Sequence, residues 1–573
     1  MLEARRTDEV ADVLDAAESA SLRGLWVGGY VAYEAAPGLD PALAVRARDR
    51  SDPFADLPLA WFAMFEGKED SALPEPRDDA TEPHDSWRPT TTRERYDGAI
   101  ERIREHIAGG ETYQINHTIR LRSSIGGDER GFYRDLCFAQ RGGYAAYLNL
   151  GRYRVLSASP ELFFQIEGGR ITTRPMKGTA PRGRWPDEDA EVAERLRSSA
   201  KERAENAMIV DLLRNDLGRL GRPGTVAWED VFEAERFETV WQLTTSIGAE
   251  LSSGTSLADV FRALFPSGSV TGAPKVRSMG IIAELEDSPR GVYCGAVGIL
   301  APSSEEPASA RFNVAIRTVV LDTDSHLAEY GVGGGITWDS RSASEYDEIV
   351  ANTRVLTARR PRFDLFETLL REPGRGYRRL DLHLDRLRAS AAYFGFRLDE
   401  AAVTSALDAA AAQARDLPAR VRLTVSRDGR AEATAVPIAS SPEPVRLAIE
   451  DEPVDRADPF LFHKTTLRDR YELAAKRHPD ADDVVLVNRE GEVTETTIAN
   501  IAVRIDGRWF TPALDAGLMP GVERRALLDE GTLTERSITV EGLRAAEEIA
   551  VLNSVSSWRR AVLYSEEEPS GNT

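Results

Sequence analysis

FFQIEGGRITTRPMKGTAPRG, residues 163–183, is the stretch on which the reading of this chain turns. Phe163–Ile166 and Arg170–Thr173 are short β-prone runs either side of Glu167-Gly168-Gly169, and together they predict a hairpin with a Gly-Gly turn. A turn with Gly168 and Gly169 at its tip fixes the register, because side chains alternate across a strand with period two. In that register Glu161 faces Met176 and Pro160 faces Lys177. A carboxyl and an amine therefore share the open end of one hairpin, within about one residue of directly opposite. That is an acid beside a nucleophile, or only a salt bridge, and geometry alone leaves both open.

Working outward, the carboxylates come next. Ala200 to Arg219 predicts a helix in which Glu202, Glu205, Ile209, Leu212 and Leu213 recur at three- and four-residue spacings, so both acids lie on the side that carries the apolar stripe. Glu345, Glu348 and Asn352 repeat the spacing on a second helix after Gly333-Gly334-Gly335-Ile336. Two helices presenting paired carboxylates suit Mg²⁺, a hard ion that keeps positions for water and substrate oxygens; two solvated helix faces would show the same spacing. Pro266 to Lys275, PSGSVTGAPK, offers backbone N–H groups before another helix, but its spacing is not that of a phosphate-binding P-loop.

Upstream, Leu25 to Tyr33 predicts a glycine-interrupted core strand, and residues 66–92 a long surface connection. A helix follows from Arg93 to Ala108, ended by Gly109-Gly110, and then a strand through Tyr113 to Asn116. The 573 residues carry a net charge of −22, which argues against a nucleic-acid partner. The charged N-terminus and the absence of any long apolar run predict a cytoplasmic chain with no membrane span. Cys137 and Cys294 make no disulfide framework and no metal-ligand spacing.

SASPELFF (157–164), TRPMKGTAPRG (173–183), KERAENAMIVDLLRNDLGR (201–219), FPSGSVTGAPKVRSM (265–279), RGVYCGAVG (290–298), FNVAIRT (312–318) and GGGITWDSRSASEYDE (333–348) resemble, in order and spacing, the chorismate-utilising enzymes. The resemblance covers residues 20 to 358 and implies an α+β fold, a β-sandwich with flanking helices, and a Mg²⁺ that holds the substrate carboxylate. Water-using members carry a lysine where this chain has Gln114, and anthranilate synthases carry alanine where it has Lys177; the PxKGT form resembles the aminodeoxychorismate synthases. The resemblance implies that Lys177 attacks C2 of chorismate as the 4-hydroxyl leaves, that Glu161 protonates the leaving group, and that ammonia then enters at C4. It implies Glu205 and Glu348 as Mg²⁺ ligands, joined by Glu202 and Glu345, and a substrate lined by Gly178, Thr179, Tyr293, Arg317, Gly333 and Gly335. Asn352 departs from the family, which usually has a carboxylate-binding lysine there. No tryptophan feedback motif is found, and no tryptophan inhibition is expected.

A new pattern begins near Arg359-Arg360-Pro361-Arg362, dividing the chain into residues 1–358 and 359–573. Phe363 to Leu370 predicts a strand, His383 to Leu387 opens a helix, an alanine-rich helix spans Glu400 to Arg415, and two hairpins turn at Arg489-Glu490-Gly491 and Asp506-Gly507. FDLFETLL, HLDRL, HKTTLRDRY (463–471), EGEVTETTIANIAV (490–503) and LMPGVERRALL (518–528) resemble the fold type IV pyridoxal-phosphate enzymes, a smaller α+β fold shared by aminodeoxychorismate lyase and several aminotransferases. The resemblance implies Lys464 as the Schiff-base lysine, Glu495 against the pyridinium nitrogen, and Arg386 with the backbone of Val522 and Glu523 on the phosphate, with Asn553-Ser554 adding to it. Together the halves imply conversion of chorismate and ammonia to 4-aminobenzoate, for folate or a secondary metabolite, by synthase and lyase steps on one chain. Neither cysteine sits in a nucleophile-like glycine context, so ammonia is expected from solution or from a separate glutamine amidotransferase subunit. The competing readings are an anthranilate synthase component joined to an aminotransferase-like domain, and a catalytically inert binding protein on the same folds.

Overall fold

The computed structural model describes residues 1–70, 87–140, 142–304, 307–356, 361–414, 417–438 and 443–564. Most of the expected surface connection at 66–92, the first two residues of the expected junction, and Arg415 lie outside the described residues. Two compact units emerge: Met1–Arg182 with Val192–Arg360, and Gly183–Glu191 with Pro361–Thr573. Among the described residues no helix is long and apolar enough to cross a membrane.

The first unit is built on a nine-stranded and a seven-stranded antiparallel sheet. Strand β1 (Trp26–Val31) lies inside the larger sheet, and its Gly29 is there because a Cβ would collide with the Trp61 carbonyl of the neighbouring strand. Tyr30, Trp61 and Val297 of this sheet bury against Tyr153, Val155 and Val320 of the smaller one, which makes the pair a sandwich. Helix α1 (Arg93–Ala108) has the expected bounds, with Thr92 as its N-cap, and packs through Tyr96, Ile100 and Ile103 on the outer face of the smaller sheet. Strand β2 (Gln114–Ser124) runs beside β7 (Leu327–Ile336), and α2 (Glu129–Gln140) covers the same outer face.

The opening hairpin forms from β3 (Leu162–Glu167) and β4 (Arg170–Arg174), with Gly168 and Gly169 both left-handed at the turn. The expected register holds for Glu167–Arg170, Ile166–Ile171 and Gln165–Thr172, then shifts so that Leu162 pairs with Arg174. The ladder ends there. Strand β5 (Met176–Pro181) leaves β3 and pairs with β6 (Val240–Thr244), so Lys177 does not face Pro160; a bulge and a change of sheet replace the simple continuation. Helix α3 (Ala200–Gly218), capped by Ser199, lies against β5, while α4 (Lys275–Leu285) and α5 (Ser342–Thr353) have the expected positions.

In the second unit β8 (Leu365–Glu372) belongs to a four-stranded sheet packed on α6 (Leu380–Phe394), which begins three residues before His383, and on the helix Glu400–Ala414. An eight-stranded sheet contains β9 (Asp483–Val487) and β10 (Val493–Thr496) as one expected hairpin, and strands Asn500–Ile505 and Arg508–Thr511 as the other. Asp506 and Gly507 are both left-handed, as a tight two-residue turn requires. Helix α7 (Val522–Asp529) starts immediately after Pro520-Gly521.

Candidate active sites

In the first unit Lys177 is half-buried on β5, and its Nζ lies 3.4 Å from Glu205 Oε2 on α3. Gly335 on β7 faces the same amine: a Cβ there would run into Gln114 Nε2 and come within 3.1 Å of Lys177 Nζ. Gln114, Lys177 and Gly335 therefore converge, and Gln114 Oε1 is buried with no hydrogen-bond partner. The two glutamate pairs border this point. A Cβ on left-handed Gly178 would sit 3.0 Å from Glu202 Oε2, and one on Gly334 would lie 3.6 Å from Glu345 Oε2 and 4.0 Å from Glu348 Oε1.

Burial raises the Glu202 carboxyl, with Glu205 adding to it; burial likewise raises Glu348, with Glu345 adding and Lys177 and Arg317 opposing. Carboxyls raised by burial beside a second glutamate, as at Glu202 and Glu348, are hard-oxygen donors short of positive charge, which is the chemistry a divalent cation answers. Among the described residues no three His, Cys, Asp or Glu side chains converge closely enough to form a ready-made cage.

Glu161 has partners of its own. It is 4% exposed; Ser269 Oγ donates to its Oε1 at 2.7 Å, and the Met176 N–H bonds its carboxylate. Burial pushes the Glu161 carboxyl up to about 7, against those two hydrogen bonds. The 266–275 loop, expected to offer backbone N–H groups, thus reaches the site with a hydroxyl. Asn206, absent from the sequence reading, donates to the Lys177 carbonyl at 3.3 Å and the Leu243 carbonyl at 3.2 Å, tying β5 and β6 to α3. Its position on the apolar side of a helix was its one sequence signal, and that signal does not separate it from core.

Of the remaining expected contacts, Thr179 Oγ1 donates to Gln242 Oε1 at 3.2 Å. Tyr293 is buried with its ring over Gly331 and the Arg120 guanidinium 5.1 Å from the ring centre. A Cβ on Gly333 would collide with the His117 carbonyl of β2, so that glycine serves strand approach. Arg317, in the connection between strands Ala310–Val314 and Thr318–Asp322, donates to Gln140 and Asn352.

In the second unit Lys464 is half-buried, and burial, with Arg386 adding, lowers its amine to about 7. Its Nζ lies 4.5 Å from the centre of the Phe366 ring. Glu495 is buried on β10, where burial pushes its carboxyl up to about 7; Tyr471 OH donates to Oε1 at 3.0 Å and the Met519 N–H to Oε2 at 3.3 Å. Arg386 gives Glu367 two hydrogen bonds, at 2.9 and 2.7 Å, and one to the Pro520 carbonyl at 3.1 Å. Burial acts to raise Glu367, but Arg386 and His383 outweigh it and hold its carboxyl down at about 2. Glu367, Tyr471 and Asn500, whose amide bonds the Met519 carbonyl at 3.0 Å, complete a polar lining that the sequence reading missed. The side chain of Glu523 is taken by Arg378 and Arg379, and Ser554 donates to the Thr368 carbonyl at 3.1 Å. What remains available near α7 is its backbone.

A family model described as chorismate binding enzyme matches residues 3–358, and one described as amino-transferase class IV matches 364–564. The aminodeoxychorismate synthase component 1 of Klebsiella aerogenes is 42% identical over 263 residues, 46% of this chain and 57% of that protein. The anthranilate synthase component 1 of Aquifex aeolicus is 38% identical over 272 residues, 47% of this chain and 54% of that protein. The chain thus spans a little over half the length of these relatives. A crystal structure of anthranilate synthase component I from Streptococcus pneumoniae superposes with a TM-score of 0.50 at 26% identity, covering 58% of this chain and 80% of that one.

Proposed function

The chain belongs to the chorismate binding enzyme family, and from that premise we propose that it makes 4-aminobenzoate from chorismate in two steps, amination at C4 and elimination of pyruvate. The observation that carries the reading is the Lys177 amine set against Gly335 and Gln114. A primary amine at that point can add to C2 of the chorismate ring as the 4-hydroxyl departs. The Glu161 carboxyl, raised to about 7, is partly protonated at neutral pH and in that form gives its proton to the departing oxygen, which leaves as water. Ammonia then adds at C4, and the C2–N bond to Lys177 breaks.

Glu205 and Glu348, with Glu202 and Glu345, are the residues that would hold Mg²⁺, and the raised carboxyls of Glu202 and Glu348 fit that ion. Bound there, it would neutralise the substrate carboxylate. In the second unit a class IV domain implies pyridoxal phosphate, and the residues fit it: a half-buried amine at Lys464 with its pKa lowered, a buried carboxyl at Glu495, the Arg386 guanidinium, and the amino end of α7. The cofactor supplies an electron sink. With it bound, Lys464, its amine lowered to about 7, would take the C4 proton and Glu495 would pair with the ring nitrogen, so that loss of pyruvate would leave the aromatic product.

Relatives of both aminodeoxychorismate and anthranilate type match this chain, so amination at C2 is the reading to exclude. Because several relatives are called component 1, we place the glutamine-hydrolysing activity on a separate subunit. Purified protein given chorismate, Mg²⁺ and ammonium, with and without pyridoxal phosphate, decides these points by product mass. 4-Aminobenzoate and pyruvate are expected with the cofactor, and aminodeoxychorismate without it. Anthranilate would overturn the first step, aminodeoxychorismate persisting despite the cofactor would overturn the second, and use of glutamine by the chain alone would overturn the separate subunit.

A further inference from the structure

Arg317 is held in an unusual way for a half-buried arginine. Its backbone is left-handed, with φ 50°, and its carbonyl accepts the Ala158 N–H at 3.0 Å, so the main chain is fixed on the sheet. Its side chain is fixed at both tips. Nη1 donates to Gln140 Oε1 at 2.8 Å and Nη2 to Asn352 Oδ1 at 3.0 Å. The two acceptors come from different helices, Gln140 from the end of α2 and Asn352 from the last turn of α5. Guanidinium has only donors to offer, so each amide must turn its oxygen toward it.

Both acceptors are neutral. Two other arginines of the chain show the contrast, each matched by a carboxylate: Arg290 binds Glu286 at 2.7 Å and Arg386 binds Glu367 at 2.7 Å. Arg317 has no carboxylate within ion-pair distance among the described residues. The acid that feels its field is Glu348, one turn earlier on α5, whose rise in pKa Arg317 opposes. Two amide oxygens thus remove the conformational freedom of the guanidinium while leaving its charge whole, and two of its five N–H donors are used. An oriented, uncompensated guanidinium with free donors is a binding element for a carboxylate.

We infer that Asn352 and Gln140 are positioning residues that present Arg317, uncompensated, to a carboxylate of the substrate. Chorismate as that substrate rests on the reading above; the anion site itself does not. The amide at 352 is the specific requirement. Aspartate would keep the acceptor oxygen and cancel the charge, whereas lysine would remove the acceptor and set a second cation against the first.

The test uses the full chain, the isosteric changes Asn352→Asp and Gln140→Glu, and Asn352→Lys. At fixed Mg²⁺, KM and kcat for chorismate are measured beside the Kd for benzoate, a bare aromatic carboxylate, and the melting temperature. Both isosteric changes are expected to raise KM and the benzoate Kd about tenfold or more, with kcat within about twofold and melting unchanged. Asn352→Lys is expected to raise both constants as well. Either folded isosteric variant suffices, since the two quench the charge from different helices. A purely structural amide would give the opposite pattern: Asn352→Asp or Gln140→Glu binding both ligands like the parent overturns the inference, as does tighter binding by Asn352→Lys. If the parent binds benzoate but leaves chorismate unchanged, the functional reading falls and the benzoate series still decides this one; a parent that binds neither overturns the inference too.

Discussion

Glu161 and Lys177 answer to different partners, and that separation governs how each should respond to pH and substitution. The Glu161 carboxyl sits at about 7 in the folded chain against about 4.5 in a solvated glutamate, so between those values the folded state holds more protons than the unfolded one. Its contribution to stability therefore falls as pH rises through that window and is flat above it. In the proposed role of acid for the amination step it works when protonated, so kcat for that step should decline above about pH 7. Glu161→Gln should remove that limb, lower kcat by roughly 10²–10⁴, and flatten the stability slope between pH 5 and 7, read by urea unfolding at each pH. A parent profile that rises above pH 7, or an undiminished variant, would show that Glu161 is not the acid. The sequence singles these residues out as candidates because motif and residue type coincide. Their partners are not: helix periodicity puts Glu202 and Glu205 on one side of α3, but only the packed structure shows that this side meets β5, and nothing local announces Ser269 or Asn206.

At the scale of elements, β7 shows two neighbouring glycines with different duties. A Cβ at Gly333 meets the His117 main chain, which cannot move without parting β2 from β7, whereas one at Gly335 meets only the ends of the Gln114 and Lys177 side chains. Gly333→Ala should therefore cost about 1–3 kcal/mol of stability. Gly335→Ala should leave the melting temperature within a few degrees and cripple amination by displacing the amine. Thermal melts and the ammonium-dependent assay separate the two, and a stable, active Gly335→Ala protein would refute the placement. The hairpins, α1 and the glutamate-bearing helices are legible from spacing and turn residues, since period and glycine position act locally. The bulge between Leu162 and Gln165 is not, because the pull that bends β5 away toward β6 comes from a strand more than sixty residues downstream.

At the scale of the whole molecule the fold class and two-part composition are legible, since each part carries its own run of motifs. What no linear reading shows is that the second unit takes in Gly183–Glu191, which the chain reaches directly after β5. Within that unit Tyr393 OH donates to the Gly183 carbonyl at 2.6 Å, and Trp185 lies over Phe462 with ring centres 5.0 Å apart. A hydrogen bond and a ring contact of this kind contribute about 2 kcal/mol together. A fragment of residues 361–573 should accordingly melt about 4–8 °C below the same unit in the intact chain, by calorimetry. Equal melting would show the nine residues to be dispensable.

The interleaving has a consequence for the history and the engineering of such a chain. Two genes joined end to end can be parted again by one stop and one start, but a unit that has recruited nine residues from upstream of the join is no longer bounded by it. Swapping in another second half would require changing the segment after the lysine-bearing strand, which includes the start of the helix Pro186–Ser198, in the same stroke, so the fusion is a commitment written in two places.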